Sequence, residues 1–239
     1  MQERTHHPSG PLALAIALAA SAGFIDAHIY VNVTPVFVAN MSGNLIHLGI
    51  VVGDADWNQA VGSLVALAAF TTGVIVATVH HDRQVIRHRE VRPSFLLGVE
   101  SVLLLLLTLG LMALPVGFSR QPRPADYPVI LVAGLAMGIQ AGALRRVGEI
   151  AVATTYGTGA IVRIGEKVVL AARRADRATL HRRRVAIAIL AIVLVSYVAG
   201  AVLATAAGSR PALLALPTVT LIICALASRA RPSTAGTDG

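Results

Sequence analysis

One carboxylate, Asp26, interrupts an apolar and small-residue run, "GFIDAHIY", with His28 two positions on. An ionisable residue in such a run is costly in an apolar medium, so it faces a cavity or a partner and is a functional candidate. Two chemistries fit it. It is a carboxylate that binds a cation or couples to a proton, or a structural cap whose oxygens accept backbone amides from an irregular segment nearby.

The stretch "FVANMSGN" follows, and in it Asn40, Asn44 and His47 recur at i, i+4 and i+7, one face of a helix. Ser42 lies between them, and Ala39 and Gly43 form a second, small face. Side-chain amides both donate and accept, so this stripe suits a polar solute or the freed backbone of a broken helix. In the second half, "GIQAGALRR" and "VATTYGTGAI" offer Gln140, Thr155 and Thr158, and Arg163 follows. Arg163 is charged at any physiological pH. With His47 it makes a pair of basic groups favouring an anionic or strongly polar solute, or else it snorkels to an interface beside Glu166 and Lys167. Glu100 sits about two turns into another apolar run, where an arginine or His47 is the expected partner.

Several chemistries are excluded. "GTGAIVRIGEK" matches neither glycine-rich phosphate loop, and no strand pattern precedes it. His80 and His81 lack a third ligand at a telling spacing, so interfacial solvation outranks metal binding there. With no Ser-His-Asp or H-E-x-x-H set, no enzyme activity, metal or cofactor is expected. An intramembrane enzyme using Asp26 and His47 is the weakest reading.

These residues must be held by apolar elements. Hydrophobic residues make up 55% of the 239 and charged ones 13%, whereas a soluble chain carries roughly a quarter charged residues. Mean hydropathy is +0.71. The chain therefore reads as all-α and membrane-embedded, with the lipid bilayer as its main partner. A net charge of +8 raises nucleic acid as a partner, but the arginines cluster in short loops, which excludes it. Cys224 is the one cysteine, so no intrachain disulfide forms. The N-terminal run also resembles a cleaved signal peptide, although no soluble domain follows it.

Six runs are near the roughly 20 residues of a spanning helix: 11–33, 58–79, 94–118, 127–144, 185–206 and 211–228. Two irregular segments, 35–53 and 149–172, decide the topology. If all eight cross, the basic residues split 11 against 7 between the two sides. If the irregular pair dips and returns, the split is 15 against 3, with Arg120, Arg123 and Arg210 alone on the far side. Arg163 and Lys167, inside an irregular segment, are counted in neither. Positive charge collects on the cytoplasmic side, so the second topology is preferred, with both termini cytoplasmic. Eight full spans is the alternative.

The chain also repeats. A shift of 115 lays Ala19, Gly23 and Ala27 on Gly134, Gly138 and Gly142, small residues at every fourth position that let membrane helices approach closely. A shift of 116 lays Ser42, Gly43 and Gly49 on Thr158, Gly159 and Gly165, and a larger one lays Gly73 on Gly200. The expectation is one membrane domain over 1–239 with halves at about 11–118 and 127–228, and flexible tails at 1–10 and 229–239. Each half is a small-residue helix, an irregular segment and two further spans. Three crossings per half invert one half against the other, a common transporter design.

"GFIDAHIY", "FVANMSGN", "GIQAGALRR" and "VATTYGTGAI" together resemble the motifs of the YoaK-like family of bacterial membrane proteins (DUF1275), from about 12 to 226. Ala141 and Gly142 depart from the Asn-Ala the family more often has there. The resemblance implies a bacterial inner-membrane protein and carries no activity with it. Physics then favours a small secondary transporter or channel-like permease for a small polar solute, over a non-transporting scaffold or partner subunit. A homo-oligomer is compatible with either.

Overall fold

The computed structural model describes residues 9–87, 94–113, 117–144, 157–172 and 176–229. Helix α1 (Ser9–Asn32) is rich in alanine and leucine, strong helix formers, and ends just before Pro35, which cannot continue it. Helix α2 (Met41–Gly53) begins at Asn40, whose side-chain oxygen accepts the Gly43 amide at 3.3 Å and so replaces a missing helical bond. At 13 residues it is about 20 Å long, short of the roughly 30 Å of a hydrocarbon core. Ala55, at φ 56, makes the left-handed turn into α3 (Trp57–Ile86), which Asp56 caps. Then come α4 (Ser94–Ala113), α5 (Asp126–Leu144), α6 (Gly157–Ala172) and α7 (Arg177–Ala207), capped by Asp176. A 3-10 turn (Pro211–Leu214) leads into α8 (Ala215–Arg229).

Among the described residues there is no strand, and five helices are long and apolar enough to cross a membrane: Leu12–Asn32, Trp57–Ile86, Ser94–Ala113, Asp126–Ala143 and Arg177–Ala207. Met41–Gly53 and Pro211–Ala227 are shorter apolar helices. The fold corrects three sequence boundaries. Helices α3 and α7 run on into the polar stretches 80–86 and 177–184, because a helix persists past the membrane edge where its side chains reach water. Within 35–53, only the stretch before Met41 is irregular, since "MSGNLIHLGIVVG" has no proline and a good cap.

Helix α1 packs on α7, and α3 on α5, with backbone touching backbone at glycines. A Cβ at Gly23 would collide with the Tyr197 carbonyl, and one at Gly200 with the Ala20 carbonyl. Likewise a Cβ at Gly73 would strike the Leu135 carbonyl, and one at Gly138 the Phe70 carbonyl. Contacts advance together along both pairs, Ala15 beside Val193 and Asn32 beside Gly208, Gly134 beside Ala69 and Gly142 beside Ala77, so each pair runs parallel. The remaining packing joins α4 to α5 and α8, α1 to α8, α2 to α3 and α6 to α7. The main core joins Leu18, Ile25 and Ile29 of α1 to Leu97 and Leu104 of α4, Met137 of α5 and Leu221 of α8.

Candidate functional site

Three connections tie together the loops at the end of the bundle where α1 stops. Ser119 donates to the Val33 carbonyl (2.9 Å), Asn32 to the Gly208 carbonyl (3.5 Å), and Gln121 to Asp56 (3.5 Å). The loop 117–126 is fastened by Asp126, fully buried, which accepts from the Arg123 amide (2.8 Å) and guanidinium (3.2 Å). Sequence reasoning missed Asp126, although "RPAD" has the three-residue spacing of a local cap. Arg120, Arg123 and Arg210 therefore share one end of the bundle with Asp54 and Asp56.

Asp26 lies six residues before Asn32, about 9 Å along the helix axis. One carboxylate oxygen accepts the amides of Val38 (2.6 Å) and Ala39 (2.7 Å), and the other accepts the Asn40 amide (2.9 Å) and the Tyr197 hydroxyl (2.5 Å). The side chain is buried, and four donors balance it, the arrangement that lets a charge persist in an apolar interior. These bonds pull 33–40 back alongside α1, so that α2 starts below the end of α1. His47 meets Ser63 at 2.9 Å, which lays α2 antiparallel to α3 and returns the chain to the end it left.

Asn44 is fully buried and pairs twice with one residue: its oxygen accepts the Phe37 amide (2.9 Å) and its nitrogen donates to the Phe37 carbonyl (2.6 Å). Asn40 also accepts from the exposed Ser42 hydroxyl (2.8 Å). Gly43 lies under the Phe37 ring, where a Cβ would stand 2.8 Å from it. Asn40, Asn44 and His47 thus serve three different partners and do not converge on one point. His28 is buried, stacks on Phe24 and lies 3.4 Å from the Asn32 amide. Ala19 is buried against α7, and Ala27 packs on the main core.

In the second half, Gln140 is fully buried and donates to the Leu18 carbonyl (2.8 Å). Thr158 and Arg163 are exposed on α6, and Gly159 is half-buried. Thr155 lies outside the described residues. Among the described residues Glu100 has neither the arginine nor the His47 expected for it: both its oxygens are buried without a hydrogen-bond partner there. Sequence reasoning also missed Tyr197, whose signal is its place one turn before Gly200 in "YVAGA".

Leucines and valines such as Leu106, Val195 and Leu203 stand exposed around the bundle, while Asp26 and Glu100 are enclosed. An apolar perimeter around buried polar groups is the surface a bilayer requires and water does not. The chain is a multi-pass α-helical membrane protein. It belongs to the family described as "Protein of unknown function (DUF1275)", which it matches over residues 14–227. It is 29% identical over 154 residues to the UPF0700 transmembrane protein YoaK of Bacillus subtilis (strain 168), covering 63% of this chain and 64% of that relative's length. No solved structure matches it.

Proposed function

We propose that this chain is a small secondary transporter or channel-like permease of the bacterial inner membrane, in which a small polar solute passes between two inverted halves. The observation that carries the reading is the pattern of helix pairs. Exchanging α1 with α5, α2 with α6, α3 with α7 and α4 with α8 turns each helix pairing into another that is present, or into itself. The glycine crossings obey the same exchange, Gly23 on Gly200 becoming Gly138 on Gly73, each Cβ aimed at a carbonyl three residues before the opposing glycine.

On this reading each half crosses three times, α2 and α6 are re-entrant, and the full count is six spans and two broken ones. The grouping of Arg120, Arg123 and Arg210 at one end supports it, because those are the basic residues that the re-entrant topology leaves outside. Both termini are then cytoplasmic. Two helices entering from opposite faces aim their N-terminal dipole ends inward, which favours anionic or polar solutes.

One observation favours the rival, a non-transporting scaffold: the polar groups of Asp26, Asn40 and Asn44 are satisfied within the chain. Single cysteines from Phe37 to Asn44 and from Thr158 to Ala160, in a Cys224→Ala background, separate the two. Labelling of the first set from outside and the second from inside supports a permeation path. Protection of both sets from both sides, with no flux of any small polar solute screened in reconstituted vesicles, leaves the scaffold.

A further inference from the structure

Glu100 is fully buried in α4, and both carboxyl oxygens lack any hydrogen-bond partner among the described residues. The other buried carboxylates differ: Asp26 has four donors, and Asp126 has Arg123. An isolated charged carboxylate in an apolar medium costs more than a chain of ordinary stability absorbs, so such a group is kept neutral or is reached by a counter-charge.

Among the described residues, the surroundings supply no counter-charge. Leu97 and Leu104, one turn to either side, belong to the main core. Helix α5 carries its ionisable residues, Asp126 and Tyr127, in its first turn, whereas its Ile139 packs with Leu96 and Leu103 at the level of Glu100. Next to Ile139 is Gln140, whose side-chain oxygen is also buried without a partner among the described residues. The turn Pro211–Leu214 has no ionisable residue. Helix α8, which packs on α4, brings the half-buried Cys224 thiol to the main core and carries Arg229 as its last residue.

We infer that Glu100 is a proton-binding site of the bundle: it holds its proton in the structure described, and releases it only when water reaches the seam between α4 and α8. A proton removes the buried charge and gives Glu100 a donor where its two oxygens are otherwise unmatched acceptors. The inference rests on membrane embedding and stands whether or not the chain transports a solute.

An apolar carbodiimide, dicyclohexylcarbodiimide, tests it on the full chain in lipid nanodiscs. The reagent takes a protonated carboxyl: the O–H adds across a C=N bond, the oxygen joining carbon and the proton nitrogen, and the acyl group then shifts to nitrogen without a leaving group. Peptide mass spectrometry is expected to place the adduct on Glu100, with a water-soluble carbodiimide failing to reach it and Glu100→Gln losing the adduct completely. In infrared spectra, the same variant is expected to lose a protonated-carboxyl band that the native chain retains at neutral pH. An unlabelled Glu100 in the native chain, where the detergent-denatured chain is labelled, overturns the inference. So does an infrared carboxyl band unchanged by Glu100→Gln. Because the labelling uses the unaltered protein, it stands even if the variant does not fold.

Discussion

Asp26 shows how one side chain sets the path of the chain around it. Asparagine in its place keeps one acceptor oxygen for Val38 and Ala39 but turns an amide group toward the Asn40 amide, donor against donor, and takes from the Tyr197 hydroxyl its charged acceptor. Asp26→Asn is expected to cost about 2–4 kcal/mol and Tyr197→Phe about 1–3 kcal/mol, since bonds to charged acceptors are worth more than neutral ones. Thermal unfolding in detergent checks both, and an unchanged midpoint in Asp26→Asn counts against the cap. At the water-exposed end, the Gln59 side chain and amide hold the Asp56 carboxyl below its ordinary value. A depressed carboxyl stabilises the fold above its unfolded value, and that contribution is lost as pH falls through the lower, folded one. The stability difference between the native chain and Asp56→Ala is therefore expected at neutral pH and should shrink under strong acid; a constant difference refutes it. The sequence posed the two roles of Asp26 without ranking them. The backbone amides of Val38, Ala39 and Asn40 are the donors that the cap role asks for, but the fourth donor, Tyr197, is 171 residues away, a distance that no local pattern encodes.

At the scale of helices, two glycine crossings hold the bundle. Gly23→Ala or Gly200→Ala places a methyl into an opposing carbonyl, and the helices must part. Overpacking of this kind costs typically about 1–3 kcal/mol and more where backbone meets backbone. Gly49 in α2 and Gly165 in α6 have open space at the same position. Alanine there removes a helix penalty of about 0.5–1 kcal/mol, so both variants should hold or raise the unfolding midpoint. If all four substitutions behave alike, the crossings are not close-packed in the membrane. Helix positions were legible because long apolar runs admit little else. The small-residue stripes were legible too, but their partners were not: α1 packs on α7 and α5 on α3, and spacing alone does not say which helix a stripe meets. The stripe Asn40, Asn44 and His47 read as one face, yet Asn40 became the cap and Asn44 turned back to Phe37, because backbone amides freed by the bend claimed them first.

For the molecule as a whole, the charge pattern and the geometry meet at the loops. Fusing a sided reporter after Asp54 and another after Arg177 is expected to place them on opposite sides of the membrane, as a dipping α2 and α6 require. Reporters on the same side would instead mean eight crossings. The pairing of α1 with α7 also sets a schedule. Asp26 and the Gly23 face emerge in the first helix, but Tyr197 and Gly200 lie near the end of the chain. At about 5–20 residues per second, the ribosome needs roughly 10–30 s to make the intervening stretch. For that time α1 waits in the membrane with a carboxylate short of a donor and a bare groove where α7 belongs, and whatever shelters it then is part of how this protein is made.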